Sequence, residues 1–340
     1  MSENPRRRDV ARMFARRAPL LLLVAAAWAC ASLPIIGRRP PEFWGFVAPW
    51  DATSPRSAVA HARSLRAVVT GWLALDTLTG MPVPLYADTL ARALPAGTMR
   101  FALVTSFLVD SFRTETIRRL YADSIALARS AGAVAAHSAQ LGYRGVILDF
   151  EGMSPRDLPA LLGVARAIHD SAHARGVDDV VMAVPASDTA AYPGRPLLSS
   201  VDGLVVMLYD EHWAGSPPGA IASPTWARRV LNIRVSEVGA ANIVASLPLY
   251  GYFWKTGAAG EAIGYPEAQR RAAEASAPLE REPSTATLRA SNPNDWQIWV
   301  SDAVLVDSLV SDASRIGVRR FALWRLGLED PDLWTSVVKP

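Results

Sequence analysis

Eight short apolar runs, separated by helical patterns, constrain the fold of this chain more than any other feature. Each run is rich in β-branched or aromatic residues, without strict alternation of polar and apolar side chains. Such runs are typical of strands buried on both faces of a parallel sheet. The runs are FWGFVAPW (43–50), AVVTGWLAL (67–75), RFALVTSF (100–107), GVILDFEG (145–152), DVVMAVPA (179–186), GLVVMLYD (203–210), NIVASLPLYG (242–251) and RFALWRLG (320–327).

The segments between the runs carry apolar residues at helical spacing. They predict helices at Thr114–Leu141, Leu158–Arg175, Trp226–Val238 and Ser301–Ile316, the last of them ended by Gly317. Eight strands alternating with helices predict the α/β class and a single (β/α)8 TIM barrel over residues 43–340. The stretch Tyr252–Trp296 is longer and more polar than the other connections. We predict an elaborated loop there, after strand seven, with a small helix at Pro266–Ala275.

The N-terminal segment has the pattern of a targeting sequence. Arginines precede Ala18–Gly37, and small residues at Ala27 and Ala29 suit cleavage of a signal peptide. The same apolar stretch is long enough to remain as a membrane anchor, and lipid modification of Cys30 is a third alternative. In each case we expect the rest of the chain to be exported, either to the periplasm or to the extracellular space.

These features divide the chain into a signal peptide or membrane anchor (1–37), a linker (38–42) and a barrel (43–340). A tether to the inner membrane through residues 18–37 is one alternative. The formal net charge is only +3 and its positive excess lies in the first 40 residues, so no nucleic-acid partner is expected. The only cysteine also lies there, which excludes thiolate and disulfide chemistry in the barrel.

The fourth run ends in two acids, Asp149 and Glu151. Residues two apart in a strand share one face, and the C-terminal ends of barrel strands carry the active site. Two close carboxyl groups perturb each other, so that one stays ionised while the other keeps a proton and can act as a general acid. The alternative is that the acids pair with arginines or cap the next helix.

The run GVILDFEG resembles the strand-four signature of glycoside hydrolase family 18, the chitinase-like barrels. That signature is D-x-x-D-x-D-x-E, and its last two acids fall on Asp149 and Glu151. Its first two positions are Arg144 and Ile147 here. The match is therefore partial, and other segments have to support it.

Four further segments resemble the family in the correct order along the chain. Two of them, at 321–334 and 50–75, are similar to the branch of the family that is associated with spore cortex and polysaccharide. The segments are MLYD (207–210), LPLYGYFW (247–254), FALWRLGLEDPDLW (321–334) and WDATSPRSAVAHARSLRAVVTGWLAL (50–75).

The resemblance implies a retaining, substrate-assisted glycosidase for polymers that contain N-acetylglucosamine, with no cofactor and no metal. Glu151 is the implied general acid, Asp149 orients the acetamido group of the sugar, and Tyr209 donates a hydrogen bond to it. The implied substrate contacts are Asp210, Trp324 and Met207.

Five residues near strand ends are further candidates for a sugar groove, although the aromatic ones could equally fill the core. These candidates are Trp50, Asp51, Trp72, Tyr250 and Trp254. His137, His169 and His173 fall on helical patterns, where surface or hydrogen-bonded histidines are expected.

The departure at Ile147 leaves two rival hypotheses open, because the second signature acid helps to set the pKa of the next one. The first rival is a catalytically inactive carbohydrate-binding barrel of the cell envelope. The second is a structural envelope protein that binds a protein partner through the loop at 252–300. Chitin, peptidoglycan and poly-N-acetylglucosamine share the acetamido group, so the sequence does not choose among them.

Overall fold

Eight parallel strands close into a barrel in the computed structural model, which describes residues 40–339. The strands are β1 (Glu42–Phe46), β2 (Ala67–Leu75), β3 (Met99–Thr105), β4 (Gly145–Asp149), β5 (Asp179–Pro185), β6 (Gly203–Met207), β7 (Ile243–Pro248) and β8 (Arg320–Trp324). Each pairs with its neighbours in chain order, and β1 pairs with both β2 and β8, which closes the ring. The predicted (β/α)8 barrel is confirmed, and each apolar run contains one strand.

Helices connect most of the barrel strands. They are α1 (Thr53–His61), α2 (Thr114–Ala122), α3 (Ser124–Gln140), α4 (Leu158–His173), α5 (Gly194–Leu197), α6 (Pro224–Val238), α7 (Tyr265–Glu274), α8 (Ala303–Arg315) and α9 (Leu333–Ser336). Helices α4, α6, α7 and α8 lie within two residues of their predicted ends. Gly317, with φ of 96°, follows α8 in the left-handed region that suits a glycine after a helix.

The helix predicted at Thr114–Leu141 is two helices. The chain becomes extended at Asp123, where φ is −123° and ψ is 100°. The Asp123 carboxylate accepts hydrogen bonds from the amides of Ile125 and Ala126, at 3.0 and 2.9 Å. An aspartate in this position satisfies amides that have no partner inside the helix, so α3 starts anew.

The connection after β7 is more regular than the predicted loop. It forms a five-stranded antiparallel sheet, which we call the inserted sheet, together with α7. In spatial order its strands are Glu261–Gly264, Tyr250–Lys255, Trp296–Val300, Leu288–Asn292 and Glu280–Arg281. The insertion has a small core of its own, formed by Ile263, Ala268, Ala272, Ala290, Ile298 and Val300.

Side chains of β4 alternate between the two sides of the barrel wall. Val146 and Leu148 join the large core that includes buried residues of the helices. Ile147 is fully buried in a separate cluster with inward residues of other strands, such as Val181 and Val205. Asp149 is two residues beyond Ile147, so the same alternation points it into the mouth of the barrel.

The predicted signal peptide or anchor at 1–37, Cys30 and residues 38 and 39 of the linker lie outside the described residues. From residue 40 to residue 339, none of the helices is long and apolar enough to cross a membrane. The described residues from 41 onward form one compact unit.

Candidate active site

Two carboxyl groups lie together at the C-terminal end of β4. Asp149 is the last residue of the strand, and Glu151 follows two residues later. The two carboxyl groups are close enough for a hydrogen bond, and each shifts the pKa of the other. A hydrogen bond between two carboxyl groups requires a proton, so the pair carries one negative charge rather than two.

Burial raises the pKa of Glu151, and the negative charges of Asp149 and Asp210 raise it further. Burial also raises the pKa of Asp149, but hydrogen bonds from Thr105 and Glu151 act in the opposite direction. The shared proton therefore belongs to Glu151 near neutral pH. A protonated glutamate in an apolar cleft is suited to general acid catalysis.

Thr105, which sequence reasoning missed, is the hydroxyl partner of Asp149. Its Oγ1 lies 3.0 Å from both Oδ2 and the backbone oxygen of Asp149. The Phe107 amide donates to the same hydroxyl at 2.9 Å, which fixes its orientation. Thr105 pairs with Asp149 in the register of β3 and β4. A polar residue at the end of the neighbouring strand was the signal in the sequence.

Tyr209 and Asp210 follow β6 and lie close enough to Glu151 to interact with it electrostatically. Burial raises the pKa of the Tyr209 phenol well above its usual value, and the nearby charge of Glu151 adds to this. Tyr209 therefore remains a neutral hydrogen-bond donor. Asp210 adopts a left-handed backbone conformation, with φ of 61°.

The Asp210 carboxylate accepts hydrogen bonds from two tyrosines of the inserted sheet. Tyr250 donates at 2.7 Å and Tyr252 at 3.1 Å, both to Oδ1. Tyr250 was predicted to contact substrate, whereas Tyr252 was not singled out. The two tyrosines share one face of strand Tyr250–Lys255 because they are two residues apart.

Aromatic side chains form the floor and one wall of the site. Trp324, the last residue of β8, stacks near Tyr209, with ring centroids 6.3 Å apart and planes 18° apart. Trp72 lies 6.3 Å from Trp324 and 5.0 Å from Trp50, which is 51% exposed. Arg325 lies over the Trp50 ring at 5.7 Å and pairs with Asp51 at 2.7 Å.

These groups surround a cleft of about 490 Å³, which we call the active-site cleft. Its lining residues are Trp50, Trp72, Leu85, Tyr86, Thr105, Phe107, Val109, Phe112, Asp149, Glu151 and Trp324. Aromatic rings beside a carboxyl pair are suited to a sugar ring, which has an apolar face and polar edges.

Of the residues predicted from the sequence, five line the active-site cleft: Trp50, Trp72, Asp149, Glu151 and Trp324. Tyr209 packs beside Trp324, and Tyr250 donates a hydrogen bond to Asp210, but Tyr209, Tyr250 and Asp210 do not line that cleft. Met207 is partly buried and packs against the barrel interior rather than lining the active-site cleft. Trp254 is buried beside a different cavity, formed mainly by the inserted sheet and its turns.

The backbone around Glu151 is held by a single tyrosine. Tyr192 donates to the Phe150 carbonyl at 2.8 Å and accepts from the Met153 amide at 3.1 Å. The next residues are fixed by Asp157, which receives a two-pronged contact from Arg118 at 2.8 and 3.0 Å. The catalytic candidate therefore sits on a loop with a defined conformation on both sides.

The two departures from the signature have different surroundings. Arg144 is exposed before β4 and pairs with Asp178, away from the active-site cleft. Ile147 is fully buried in the barrel interior, where an ionised side chain would be costly. Asp149 consequently has Thr105 and Glu151 as its side-chain partners.

No family model matches this chain. YdhD of Bacillus subtilis (strain 168), named as a sporulation-specific glycosylase, is 26% identical over 241 residues, which cover 67% of this chain and 57% of YdhD. The cortical fragment-lytic enzyme of the same organism is 24% identical over 254 residues, covering 70% of this chain and 59% of that enzyme. The chain thus spans less than two thirds of the length of these curated relatives.

A crystal structure of chitinase from Chromobacterium violaceum ATCC 12472 has the same fold. It superposes with a TM-score of 0.79 at 21% identity and covers 87% of this chain and 98% of the chitinase. The predicted enzyme class, a glycoside hydrolase, agrees with the names of the two sequence relatives. The predicted resemblance is therefore confirmed at the level of fold and relatives: this chain has the barrel fold of a chitinase and is similar in sequence to a sporulation-specific glycosylase and a cortical fragment-lytic enzyme.

Proposed function

We propose that this protein hydrolyses β-linked polysaccharide containing N-acetylglucosamine, with Glu151 as the general acid. The observation that carries the proposal is that the Asp149 and Glu151 carboxyl groups lie together in one cleft lined by aromatic side chains. The barrel and the relatives named as a glycosylase and a cortical fragment-lytic enzyme support the same class of reaction.

In the first step Glu151 gives its proton to the glycosidic oxygen, and the bond from that oxygen to the anomeric carbon breaks. The acetamido oxygen of the same sugar bonds to the anomeric carbon and forms a cyclic oxazolinium ion. In the second step water attacks that carbon, the bond from the carbon to the acetamido oxygen breaks, and the water gives a proton to the Glu151 carboxylate. The product keeps the configuration of the substrate and the enzyme regains its proton.

Asp149 has no proton to give and instead stabilises positive charge. Once Glu151 turns to the glycosidic oxygen, the Asp149 carboxylate accepts a hydrogen bond from the acetamido N–H. Tyr209 donates its phenol hydrogen to the acetamido oxygen, which positions that oxygen for attack. Trp324 provides the ring on which the sugar stacks.

The substrate class rests on the acetamido group rather than on one polymer. Chitin, peptidoglycan and poly-N-acetylglucosamine all supply it. The names of the relatives, which refer to sporulation, cortex fragments and chitin, support a polymer of this group. We therefore propose a cell-wall or chitin-like glycan as the partner of the active-site cleft.

Acetylated and fully deacetylated glucosamine polymers of equal length test the proposal. Release of reducing ends from the acetylated polymer alone is expected, because the acetamido oxygen is the nucleophile. Equal release from both polymers would contradict substrate assistance. Binding of the acetylated polymer without any release of reducing ends would favour the inactive carbohydrate-binding barrel.

We also propose that the barrel is exported, with residues 1–37 serving as a signal peptide or inner-membrane tether. The charged and apolar pattern of that segment supports export. Fractionation of cells expressing a tagged full-length chain should place the barrel outside the cytoplasm. Recovery of intact protein in the cytosol would rule this out.

A further inference from the structure

A second cluster of side chains lies at the end of the barrel opposite the active-site cleft. His169 and His173 belong to α4, and Asp202 directly precedes β6. Each of these three residues offers one possible ligand atom, a ring nitrogen or a carboxylate oxygen, and the three atoms lie within 4.8 Å of one another. The Val180 amide, at the start of β5, donates to Asp202 Oδ2 at 2.7 Å and fixes the carboxylate.

His169 lies between two carboxylates, one at each ring nitrogen. Nδ1 lies 2.8 Å from Asp170 Oδ1, and Nε2 lies 3.2 Å from Asp202 Oδ1. A neutral imidazole has one N–H, so only one of these contacts can be a hydrogen bond. The other places a nitrogen lone pair against a carboxylate oxygen, which is repulsive unless a positive charge lies there.

His173 approaches the same carboxylate from the neighbouring turn of α4. His173 Nε2 lies 2.8 Å from Asp202 Oδ2, and the two imidazole rings are only 4.3 Å apart. One divalent cation between the rings and Asp202 would accept both Nε2 lone pairs and neutralise the carboxylate.

We propose that His169, His173 and Asp202 bind a divalent transition-metal ion of the zinc class. Two imidazoles and one carboxylate are a common ligand set for zinc, and solvent can take the remaining position because the side chains are partly exposed. Asp170 holds Nδ1–H of His169 and leaves Nε2 free, the usual arrangement behind a zinc-bound histidine.

The sequence analysis expected no metal. The overlooked signal was the spacing of His169 and His173, four residues apart on one face of α4. Asp202 was not visible as a partner, because it comes from a different element.

The bound ion would join the last turn of α4 to the starts of β5 and β6. Its effect is therefore expected on stability, since the active-site cleft is at the other end of the strands. The proposal does not depend on the proposed glycosidase function.

Zinc titration of the untagged full-length protein, purified in detergent and treated with EDTA, tests the site. Calorimetry should show one equivalent of zinc bound, and bound zinc should raise the thermal midpoint. Cobalt should give the intense visible absorption of a four- or five-coordinate ion. Absence of saturable zinc binding in the wild type, or cobalt bound only in a weakly absorbing six-coordinate form, would overturn the proposal.

Variants assign the ion to these residues. The double variant His169→Gln/His173→Gln should lose the bound equivalent, whereas His137→Gln on α3 should keep it. Asp170→Asn leaves all three ligands in place and should weaken zinc affinity about 10–100-fold. Because Asp170 is an exposed residue, this variant remains informative if the double variant fails to fold. Unchanged zinc affinity in the double variant or in Asp170→Asn would contradict the assignment.

Discussion

The Thr105 hydroxyl lies 3.0 Å from Oδ2 of Asp149 and acts on it as a neutral hydrogen-bonding group. In the signature that β4 resembles, an acid stands where this chain has Ile147. A neighbouring acid raises the pKa of a carboxyl group, whereas a hydroxyl donor lowers it. The partner of Asp149 therefore favours its ionised form, which the proposed mechanism requires.

Replacement of Thr105 by valine tests this partnership. Loss of the hydroxyl should raise the pKa of Asp149, so the acidic limb of the kcat–pH profile should move to higher pH. A shift of about one pH unit is expected, because one unit equals about 1.4 kcal/mol and a hydrogen bond to a charged group is worth about that much. Thr105→Ser keeps the hydroxyl and is the matched control. Identical profiles for the valine and serine variants would show that the contact is unimportant.

The acid pair is tested by Glu151→Gln and Asp149→Asn. Each substitution preserves size and most hydrogen bonding, but glutamine cannot donate a proton in the same way and asparagine carries no charge. We expect kcat on the acetylated polymer to fall about 10²–10⁴-fold for Glu151→Gln, with glycan binding retained. Glu274→Gln, an exposed surface change, should leave kcat unaltered. A fully active Glu151→Gln would mean that another group supplies the proton.

The pH profile of kcat/KM should have an alkaline limb above the ordinary pKa range of glutamate. Activity needs the proton on Glu151, so it is lost as pH rises through the raised pKa of that residue. The negative charge of Asp210 contributes to this elevation, so Asp210→Asn should move the alkaline limb to lower pH. Movement in the opposite direction would indicate that the limb belongs to a different group.

The same buried proton predicts a dependence of stability on pH. The folded-state pKa of Glu151 is above its unfolded value, so its contribution to stability is complete at low pH and decreases as pH rises. Glutamine does not titrate. Glu151→Gln should therefore raise the thermal midpoint relative to wild type at pH 8 more than at pH 4, as measured by scanning calorimetry. A constant difference at both pH values would contradict the elevated pKa.

The barrel was predictable because its strands are continuous apolar runs and its helices have clear periodicity. The break at Asp123 was not, because the flanking helical patterns continue through it and only the capping geometry separates α2 from α3. The inserted sheet was missed because polar residues alternate along its strands, and its turns were taken for a continuous loop. The pairing of its strands depends on contacts between residues that are distant in the sequence, and a local sequence pattern does not predict such contacts.

Within the active site, sequence reasoning found the groups that come from recognisable motifs. It named Asp149, Glu151 and Tyr209, which the fold brings to one end of the barrel. It missed Thr105 and Tyr252, because their importance arises from the register of β3 with β4 and from the path of the inserted sheet. A single strand pattern carries no information about such partners.

The hydrogen bonds from Tyr250 and Tyr252 to Asp210 limit how freely the insertion could be exchanged by protein engineers. Its first strand, Tyr250–Lys255, supplies both hydroxyls, so this segment is a shared part of two modules rather than a linker between them. A chimera that replaces residues beyond Lys255 would retain the tether on Asp210. One cut before Tyr250 would leave that carboxylate without both donors, however well the transplanted piece folded by itself.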